Sequence, residues 1–269
     1  MSGKKTKADS KSVTPTPAIQ LIWLKAAYKF HTYAYRDPRS AFASAMGSPV
    51  VSPTTVLLGI ASTLFSLGKE PEAKNFLGVA HNCRVVVDAP DGIIFFRAFH
   101  QLRRYETGAM KTSKEKFKPN ARIGLTIINQ GTREYGLVDG QTTVYVGIPE
   151  EHIESARLAL TNLGHLGTHD SMCSLIGDVE KCSEPKDIVY MPPEQWKTNI
   201  QPGCTAVTLS RFKNTTVAPT LPHWRMAGGE NTEQVPYWWM AGGENTEQVP
   251  YFIKGKFEGT SKGKIYKKH

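Results

Sequence analysis

The sequence predicts an α+β protein built on one ferredoxin-like unit, and three observations support this class. Once a basic insertion is set aside, the apolar segments follow the order strand, helix, strand, strand, helix, strand, which is the βαββαβ order. The 40% hydrophobic content over 269 residues is enough for a buried core. No apolar run approaches the roughly 20 residues that a membrane span needs. Such a unit has an antiparallel sheet on one side and two helices on the other, which leaves loops and one sheet face for ligands.

The first strand and the first helix have clear local signals. Residues 18–28 (AIQLIWLKAAY) are rich in Ile, Leu and Trp and predict a buried strand. Residues 52–68 (SPTTVLLGIASTLFSLG) predict a helix in which Ser52 is the N-cap, Pro53 takes the first helical position and Gly68 ends the helix. Its apolar residues recur at helical spacing, as expected for a face that packs on a sheet: Val56, Leu57, Ile60, Ala61, Leu64 and Leu67.

The next two strands are predicted to form a hairpin. Residues 83–89 (CRVVVDA) and 92–99 (GIIFFRAF) are rich in β-branched and aromatic side chains, and Pro90, Asp91 and Gly92 join them with turn chemistry. The remaining elements of the unit are strands at 122–129, 142–148 and 171–180 and a helix at 149–164, which has acids in its first turn and Gly164 at its end.

These elements divide the chain into three parts. Residues 1–17 form a polar, basic tail that we expect to be disordered, and they lack the apolar segment of a secretory signal. Residues 18–180 hold the βαββαβ unit with its insertion. Residues 181–269 form a smaller β-rich region, with strands predicted at 187–191, 204–212 and 249–259. The four cysteines provide no disulfide framework, which predicts a cytoplasmic protein.

The C-terminal region contains an exact internal repeat. The 12-residue segment MAGGENTEQVPY occurs at 226–237 and again at 240–251. Two copies are too few for a solenoid, which needs about three or more repeats to bury a core. An exact copy indicates either a recent tandem duplication or an artefact, and the sequence leaves both open. We expect one copy to lie in a surface loop that tolerates insertion.

Positive charge is concentrated in the middle of the chain. The formal net charge is +9, and residues 97–133 carry nine Lys or Arg against the two acids Glu106 and Glu115. A basic block of this kind predicts a surface for polyanions, although a solvated charged loop has the same composition. Charge alone does not separate RNA from DNA or anionic lipid. The nine cations are Arg97, Arg103, Arg104, Lys111, Lys114, Lys116, Lys118, Arg122 and Arg133.

Residues 163–175 (LGHLGTHDSMCSL) concentrate side chains that bind metals or transfer protons. His165, His169 and Cys173 are spaced by four residues, and Cys182 lies nine residues further on. Structural zinc sites usually bring closely spaced ligand pairs from two knuckles. No C-x-x-C pair occurs, and a glycine interrupts the histidine spacing, so the pattern favours loop histidines and a buried cysteine. We therefore predict no metal and no cofactor.

A catalytic interpretation uses the histidines. A metal-independent ribonuclease would employ a histidine as base and cations to stabilise the developing phosphorane. Candidates are His31, His100 beside Arg103 and Arg104, and His169 beside Asp170. Sequence spacing does not establish that these side chains converge.

A binding interpretation uses the glycines instead. Gly164 and Gly167, followed by His169 and Ser171, would let backbone N–H groups approach phosphates closely. Aromatic and basic residues alternate after the first strand, which suits stacking on unpaired bases, although some of these rings will be core: Tyr28, Lys29, Phe30, Tyr33, Tyr35 and Arg36.

Three segments, in this order, resemble a known family. They are SPVVSPTTVLLGIAS at 48–62, REYGLVDGQTTVYVGI at 133–148 and LGHLGTHDSMCSL at 163–175. The chain is similar over residues 18–180 to the Cas-five family, whose members cap the 5′ end of the guide RNA in type I CRISPR Cascade complexes. The family pattern has a proline-flanked serine before an L-x-G helix, an R-E-x-L-V element closing a basic hairpin, and a glycine turn before the last strand.

The resemblance implies an RRM-like domain with a thumb. Residues 97–140 would form the basic β-hairpin thumb, which packs on the guide RNA and on the first backbone subunit. The residues expected near RNA are Arg36, Ser48, Ser52, Thr54, Arg97, Arg103, Arg104, Lys111, Lys114, Arg122, Arg133, Gly164, His165, Gly167 and His169.

The resemblance also implies partners and a role. The expected partners are the 5′ handle of the CRISPR RNA, Cas-seven type backbone subunits and the large subunit, and a contact to target DNA near the protospacer-adjacent motif stays open. No membrane is expected. One subtype of the family cuts precursor RNA, whereas most members only bind. No Tyr/Lys/His triad falls at matched positions here, so a non-catalytic role is expected, with a metal-independent endoribonuclease as the alternative.

Overall fold

The computed structural model describes residues 20–35, 47–105, 126–168, 170–192, 194, 202–213, 246–260 and 263–269. Several predictions fall on other residues and lie outside the described ones. They concern the 1–17 tail, the first copy of the repeat, and Arg36, Lys111, Lys114, Arg122 and His169. For His100, Arg103 and Arg104 the structure describes the backbone of a strand only.

The described residues form three helices and antiparallel sheets, which confirms the predicted α+β class. The helices are α1 (Pro53–Ser66), α2 (Glu70–Val79) and α3 (Ile153–Thr161). None of the described helices is long and apolar enough to cross a membrane. The strands are β1 (Leu21–Phe30), β2 (Arg84–Asp88), β3 (Gly92–Tyr105), β4 (Thr126–Asp139), β5 (Thr142–Pro149), β6 (Cys173–Cys182), β7 (Tyr190–Met191), β8 (Cys204–Phe212), β9 (Thr246–Lys254), β10 (Lys256–Thr260) and β11 (Gly263–Lys267).

The central sheet has the strand order β2-β5-β1-β6, and every neighbouring pair is antiparallel. Alternate residues of each strand point to one face, where Leu24 pairs with Val146 and Ala26 pairs with Val144. All four of these side chains are buried. The Tyr28 hydroxyl on the same face donates a hydrogen bond to the Leu160 carbonyl in α3, 2.7 Å away. This inner face and the helices form the main core.

Helix α1 follows its sequence signals except at the N-cap side chain. Pro53 takes the first helical position as predicted. Gly68 has φ +74°, and its N–H donates to the Phe65 carbonyl while the Lys69 N–H donates to the Leu64 carbonyl, which is the Schellman arrangement. Ser52 stands at the N-cap, but its side chain makes no cap hydrogen bond.

The predicted hairpin of β2 and β3 is wrong. Strand β2 pairs with β5 in the central sheet, whereas β3 pairs with β4 and β11 in another sheet. The turn at Pro90, Asp91 and Gly92 therefore carries the chain from one sheet to the next. The turn residues specify a change of direction, but the partner of each strand is decided by the wider fold.

The second sheet, called the hairpin sheet, has the order β10-β11-β3-β4. Strands β3 and β4 pair along 14 residues, from Gly92 with Asp139 to Tyr105 with Thr126. The predicted basic block lies along these two strands and the residues between them. Strands β10 and β11 complete this sheet, and β11 pairs with the first residues of β3, Gly92–Phe95. The C-terminal region therefore extends the sheet at the end where β3 begins.

The C-terminal sheet has the order β7-β9-β8. Strand β8 spans the segment predicted at 204–212, and it contacts the start of α1 through two hydrogen bonds at Ser210. The second copy of the repeat lies partly in β9, where Val249 and Tyr251 are buried. This copy contributes to the core. The expected surface loop therefore concerns the first copy, which lies outside the described residues.

Candidate nucleic-acid interface

The paired strands β3 and β4, called the hairpin, present exposed cationic and aromatic side chains. Arg97 is exposed, and Phe99 keeps 67% of its surface accessible. Phe96 stacks on Tyr135 across the pair, with ring centroids 6.1 Å apart and planes tilted by 28°. Exposed rings beside guanidinium groups suit stacking on bases and contacts with phosphates.

One face of the hairpin sheet is apolar and exposed. Ile94 lies opposite Leu137 and beside Ile265, and Phe96 follows on the same face. The exposed fractions are 51% for Ile94, 60% for Leu137 and 38% for Phe96. A contiguous exposed apolar patch of this kind marks an interaction surface more often than a solvated one.

Residues 163–172, called the glycine loop, connect α3 to β6. His165 and Met172 form an isolated antiparallel bridge, and the Leu166 N–H donates to the Ser171 carbonyl at 3.2 Å. The loop is attached to the segment after β1, because the Ala34 N–H donates to the Ser171 hydroxyl and the Thr168 hydroxyl donates to the Ala34 carbonyl. Hydrogen bonds therefore join the loop both within itself and to the segment that follows β1.

The two glycines of this loop have different roles. Gly167 has φ +102°, and a Cβ there would lie 2.9 Å from the Tyr35 ring. Both the backbone conformation and the close ring require glycine. At Gly164 a Cβ would meet nothing within 4 Å, and φ is not positive. Helix α3 ends at Thr161, so Gly164 is not the helix-ending glycine that the sequence suggested.

An ion pair joins the glycine loop to the hairpin. The Arg133 guanidinium donates to the Asp170 carboxylate at 2.5 Å, and the Tyr135 hydroxyl lies 3.4 Å from the same oxygen. Partial burial, followed by the Asp170 charge, raises the pKa of Tyr135, so its hydroxyl stays protonated. Thr32 also donates to the Asp170 carbonyl. Arg133 was predicted as an RNA contact, and its charge is already partly balanced within the chain.

Three residues predicted near RNA are buried in the core, which is a correction. Ser48, Ser52 and Thr54 are at most 1% exposed. The Ser52 hydroxyl accepts hydrogen bonds from the Tyr35 hydroxyl at 2.6 Å and from the Ser210 N–H at 2.9 Å.

The other two hydroxyls are satisfied in the same way. Thr54 donates to the Ser210 carbonyl, and Ser48 donates to the Val50 carbonyl. These groups attach β8 and the loop before α1 to one another. They leave no surface for a ligand.

The metal interpretation of the loop does not fit the geometry of its cysteines. Cys173 and Cys182 stand at opposite ends of β6, about 30 Å apart for a strand of this length. Burial raises the pKa of the Cys173 thiol to about 12, which disfavours the thiolate that a metal needs. Among the described residues no group of three or more His, Cys, Asp or Glu could hold a metal ion.

Of the histidines in the catalytic interpretation, His31 is the one whose side chain is described. Its Nε2 lies 2.5 Å from the Ser174 hydroxyl, in an exposed position. No carboxylate of the described residues contacts this ring. A nucleophile and base need a third group that orients the base, and the described surroundings of His31 do not supply one.

The role of Asp170 was missed at the level of sequence. It was considered as an acid–base partner of His169, whereas it attaches the glycine loop to Arg133 on β4. The two residues are separated by 37 positions, and no local pattern links them.

No protein-family model and no curated protein matches the sequence. Two solved structures are similar to the chain over 92% of its length. One is the crystal structure of a CRISPR protein from Archaeoglobus fulgidus, with a TM-score of 0.36, 12% identity and 92% of that chain covered. The other is the Csm3-Csm4 subcomplex in the type III-A CRISPR-Cas interference complex, with a TM-score of 0.35, 9% identity and 93% of that chain covered. Scores this low define neither a shared fold nor a shared function.

Proposed function

We propose that this chain is an RNA-binding subunit of a type I CRISPR effector complex, in which it caps the 5′ handle of the guide RNA without cutting it. The proposal starts from the three Cas-five segments in family order. The strand order β2-β5-β1-β6 with helices on one face is the order of a ferredoxin-like βαββαβ domain, which supports the proposed fold. The hairpin leaves this domain between β2 and β5, where the family has its thumb.

The observation that carries the proposal is the attachment of the basic hairpin to the glycine loop. The 2.5 Å ion pair between Arg133 and Asp170 holds the two elements side by side. An RNA strand could then contact hairpin cations and the backbone of residues 163–172 at the same time. Electrostatics would provide most of the affinity, and loop geometry would position the end of the strand.

The proposed mechanism combines phosphate contacts with stacking. Arg97, Arg103 and Arg104 share β3 with Phe96, Phe99 and Tyr105, and such a combination suits binding of both phosphates and bases. Each neutralised phosphate should contribute a slope of about −0.7 to the dependence of log affinity on log salt for a single strand. A complex insensitive to salt would contradict this mechanism.

The apolar face of Ile94, Phe96, Leu137 and Ile265 supports the proposed contact with a protein neighbour. Bases and phosphates leave aliphatic side chains such as Ile94 and Leu137 unused, whereas a backbone subunit would bury them. We propose that this face packs on the first backbone subunit while the cations contact the guide. The large subunit and target DNA remain proposed partners without a specific surface.

The test is RNA retention in the assembled complex. The triple variant Arg97→Ala, Arg103→Ala, Arg104→Ala is co-expressed with the other subunits and a CRISPR array, and co-purified RNA is quantified. We expect most of the guide RNA to be lost, because three phosphate-binding cations are removed. The control variant Lys69→Ala, Lys74→Ala, Lys186→Ala removes the same charge from exposed positions elsewhere.

Equal RNA retention in both triple variants would overturn the thumb assignment. The enzymatic alternative is checked on the purified chain with repeat RNA in EDTA. Cleavage that disappears on changing His31 or His100 to Ala would replace the capping role with a processing ribonuclease.

A further inference from the structure

The exact repeat gives the C-terminal sheet two candidate segments for one strand position. Strand β9 lies between β7 and β8, and its first part, TEQVPY at 246–251, is the end of the second copy. The same residues stand at 232–237, where the first copy ends. Because strand register is set by the pattern of side chains, the neighbouring strands cannot distinguish the two copies over these residues.

The repeated residues attach β9 to its neighbours. Glu247 accepts a hydrogen bond from the Arg211 guanidinium on β8, at 2.8 Å. Val249 is buried opposite Leu209 of β8. Tyr251 is buried as well, and its ring lies against a tyrosine ring of β7 with centroids 4.7 Å apart. The first copy has the same side chains one repeat earlier, at Glu233, Val235 and Tyr237.

The residues that follow TEQVPY decide which copy is preferred. The second copy continues as FIK within β9, whereas the first continues as WWM. Ile253 is 1% exposed and lies in register between Tyr190 and Thr205, and Trp239 would take its position. A larger side chain in a close-packed position is destabilising. The second copy is therefore favoured, by about 5- to 150-fold in population.

The connection from β9 to β10 also differs between the copies. Gly255 alone joins the two strands, with φ +126°, and a Cβ there would lie 2.5 Å from the Lys267 carbonyl oxygen. The first copy has Ala241 at the equivalent position, so it cannot form this tight connection. Residues 241–255 would instead form a longer connection, which costs little entropy. The 2.9 Å hydrogen bond from the Gly255 N–H to the Gly203 carbonyl would be lost.

We propose that the two copies exchange in this strand position. In the main arrangement β9 lies between β7 and β8, and in a minor arrangement, shifted by one repeat, residues 232–240 take its place. The exchange opens the connection to β10, which is the edge strand of the hairpin sheet. It therefore couples the C-terminal sheet to the sheet that carries the exposed Ile94 and Leu137. This inference concerns the fold of the C-terminal region and does not depend on RNA binding.

The test compares aspartate substitutions in the two copies of the purified full chain. Val249→Asp damages β9, and replacement by the first copy should limit the fall in Tm to about 2–12 °C. Val235→Asp alone should leave the Tm unchanged. The double variant has no intact copy, so its Tm should fall at least about twice as far, because an unpaired charge stays in the core. Val207→Asp on β8, a buried strand position without a second copy, is the matched control and should lower the Tm as far as the double variant does.

A disulfide cross-link identifies the copy that lies beside β8. Ala206 is in register with Phe252, so Trp238 lies opposite it in the shifted arrangement. Opposed residues of antiparallel strands have Cα atoms about 4.5–5.5 Å apart, within the reach of a disulfide. In a Cys204→Ser background, cysteines at 206 and 238 should cross-link several-fold more once Val249→Asp is added, and cysteines at 206 and 252 correspondingly less.

The outcomes separate this inference from the proposed function. Equal Tm values for Val249→Asp and the double variant would overturn the exchange, and so would the absence of a 206–238 cross-link in Val249→Asp. Neither result bears on RNA binding by the hairpin. RNA retention in the hairpin triple variant tests the proposed function by itself, and its failure would leave the exchange standing.

Discussion

The central sheet and the hairpin sheet distribute apolar residues differently over their two faces. In the central sheet the face under the helices carries the buried Leu24, Ala26 and Tyr28, and the other face combines Lys25 and Lys29 with the buried Trp23. In the hairpin sheet Ile93 and Phe95 are buried, yet Ile94 and Leu137 on the opposite face are exposed. The hairpin sheet therefore differs in grouping its exposed apolar residues, Ile94, Phe96 and Leu137, on one face, which marks a surface for a partner.

The largest expected effect tests the two faces of the hairpin sheet with adjacent phenylalanines. Phe95 is 1% exposed and contacts Tyr33 and Phe257, whereas Phe96 is 38% exposed. Phe95→Ala should lower the free energy of unfolding by about 3–5 kcal/mol, because it leaves a cavity. Phe96→Ala should cost less than about 1 kcal/mol in the isolated chain. Urea unfolding measures both, and equal costs would contradict the distinction between the faces.

The next effect concerns the glycine loop, which connects α3 to β6 of the central sheet and pairs with Arg133 of the hairpin sheet. Gly167→Ala forces a side chain into a positive φ beside the Tyr35 ring, and we expect a loss of about 1–3 kcal/mol. Gly164→Ala meets open space and should be near neutral. Thermal unfolding of both variants checks this. A neutral Gly167→Ala would show that the loop is not held against Tyr35.

The third prediction compares the two faces of the central sheet through its cysteines. Cys173 pairs with Phe30 on the inner face, where burial raises the thiol pKa to about 12, and Cys182 pairs with Trp23 on the other face. A thiol whose pKa is raised on folding stabilises the fold below its unfolded pKa, and this stability is lost as pH rises toward 12. The free energy of unfolding should therefore decline above about pH 9, by about 1.4 kcal/mol per pH unit for such a thiol.

Cys173→Ala should make this decline shallower by the contribution of one thiol, and Cys182→Ala should change it less. Burial also raises the pKa of Cys83 to about 12, and its contribution persists in both variants. Urea unfolding at a series of pH values supplies the measurement. Maleimide labelling at pH 8 gives an independent readout, in which Cys182 should react much faster than Cys173. Equal labelling rates would mean that Cys173 is not enclosed by the inner face.

The smallest expected effect concerns the link between the two sheets. Asp170→Asn removes the carboxylate from Arg133, and because both side chains are more than a third exposed, we expect a loss of only about 0.2–1 kcal/mol. The loss should shrink in high salt, since exposed charges are screened. RNA affinity should change more than stability does, because the glycine loop is released from the hairpin. Arg133→Lys provides the matched variant that keeps the charge without the forked geometry.

Helices and strands were predicted well where the residues that start, fill and end the element all lie in one segment of the sequence. The Pro53 start and the Gly68 stop of α1 were both read from residue types that favour these positions. The strand predicted at 204–212 has the same bounds as β8. Helix α2 was missed, because residues 70–79 lack a continuous apolar stripe and contain Pro71 and Gly78.

Pairing and burial were less accessible from the sequence. The turn at Pro90 and Gly92 was recognised, but the assignment of β2 and β3 to one hairpin was wrong. Ser52 and Thr54 were taken as surface hydroxyls near a ligand, and both are buried. The residue type of Ser52 does not show whether its hydroxyl faces solvent or another side chain, because its hydrogen-bond partner Tyr35 is 17 positions away in the sequence.

By itself, the sequence determined the fold class, most strand and helix positions and the concentration of charge in the hairpin, because helix caps, alternation and charge are properties of neighbouring residues. Tertiary structure alone decided which strands pair, that Asp170 attaches the glycine loop to Arg133, and that Ser52 and Thr54 are buried. These features depend on contacts between residues far apart in the chain, which chain folding creates and local spacing does not encode.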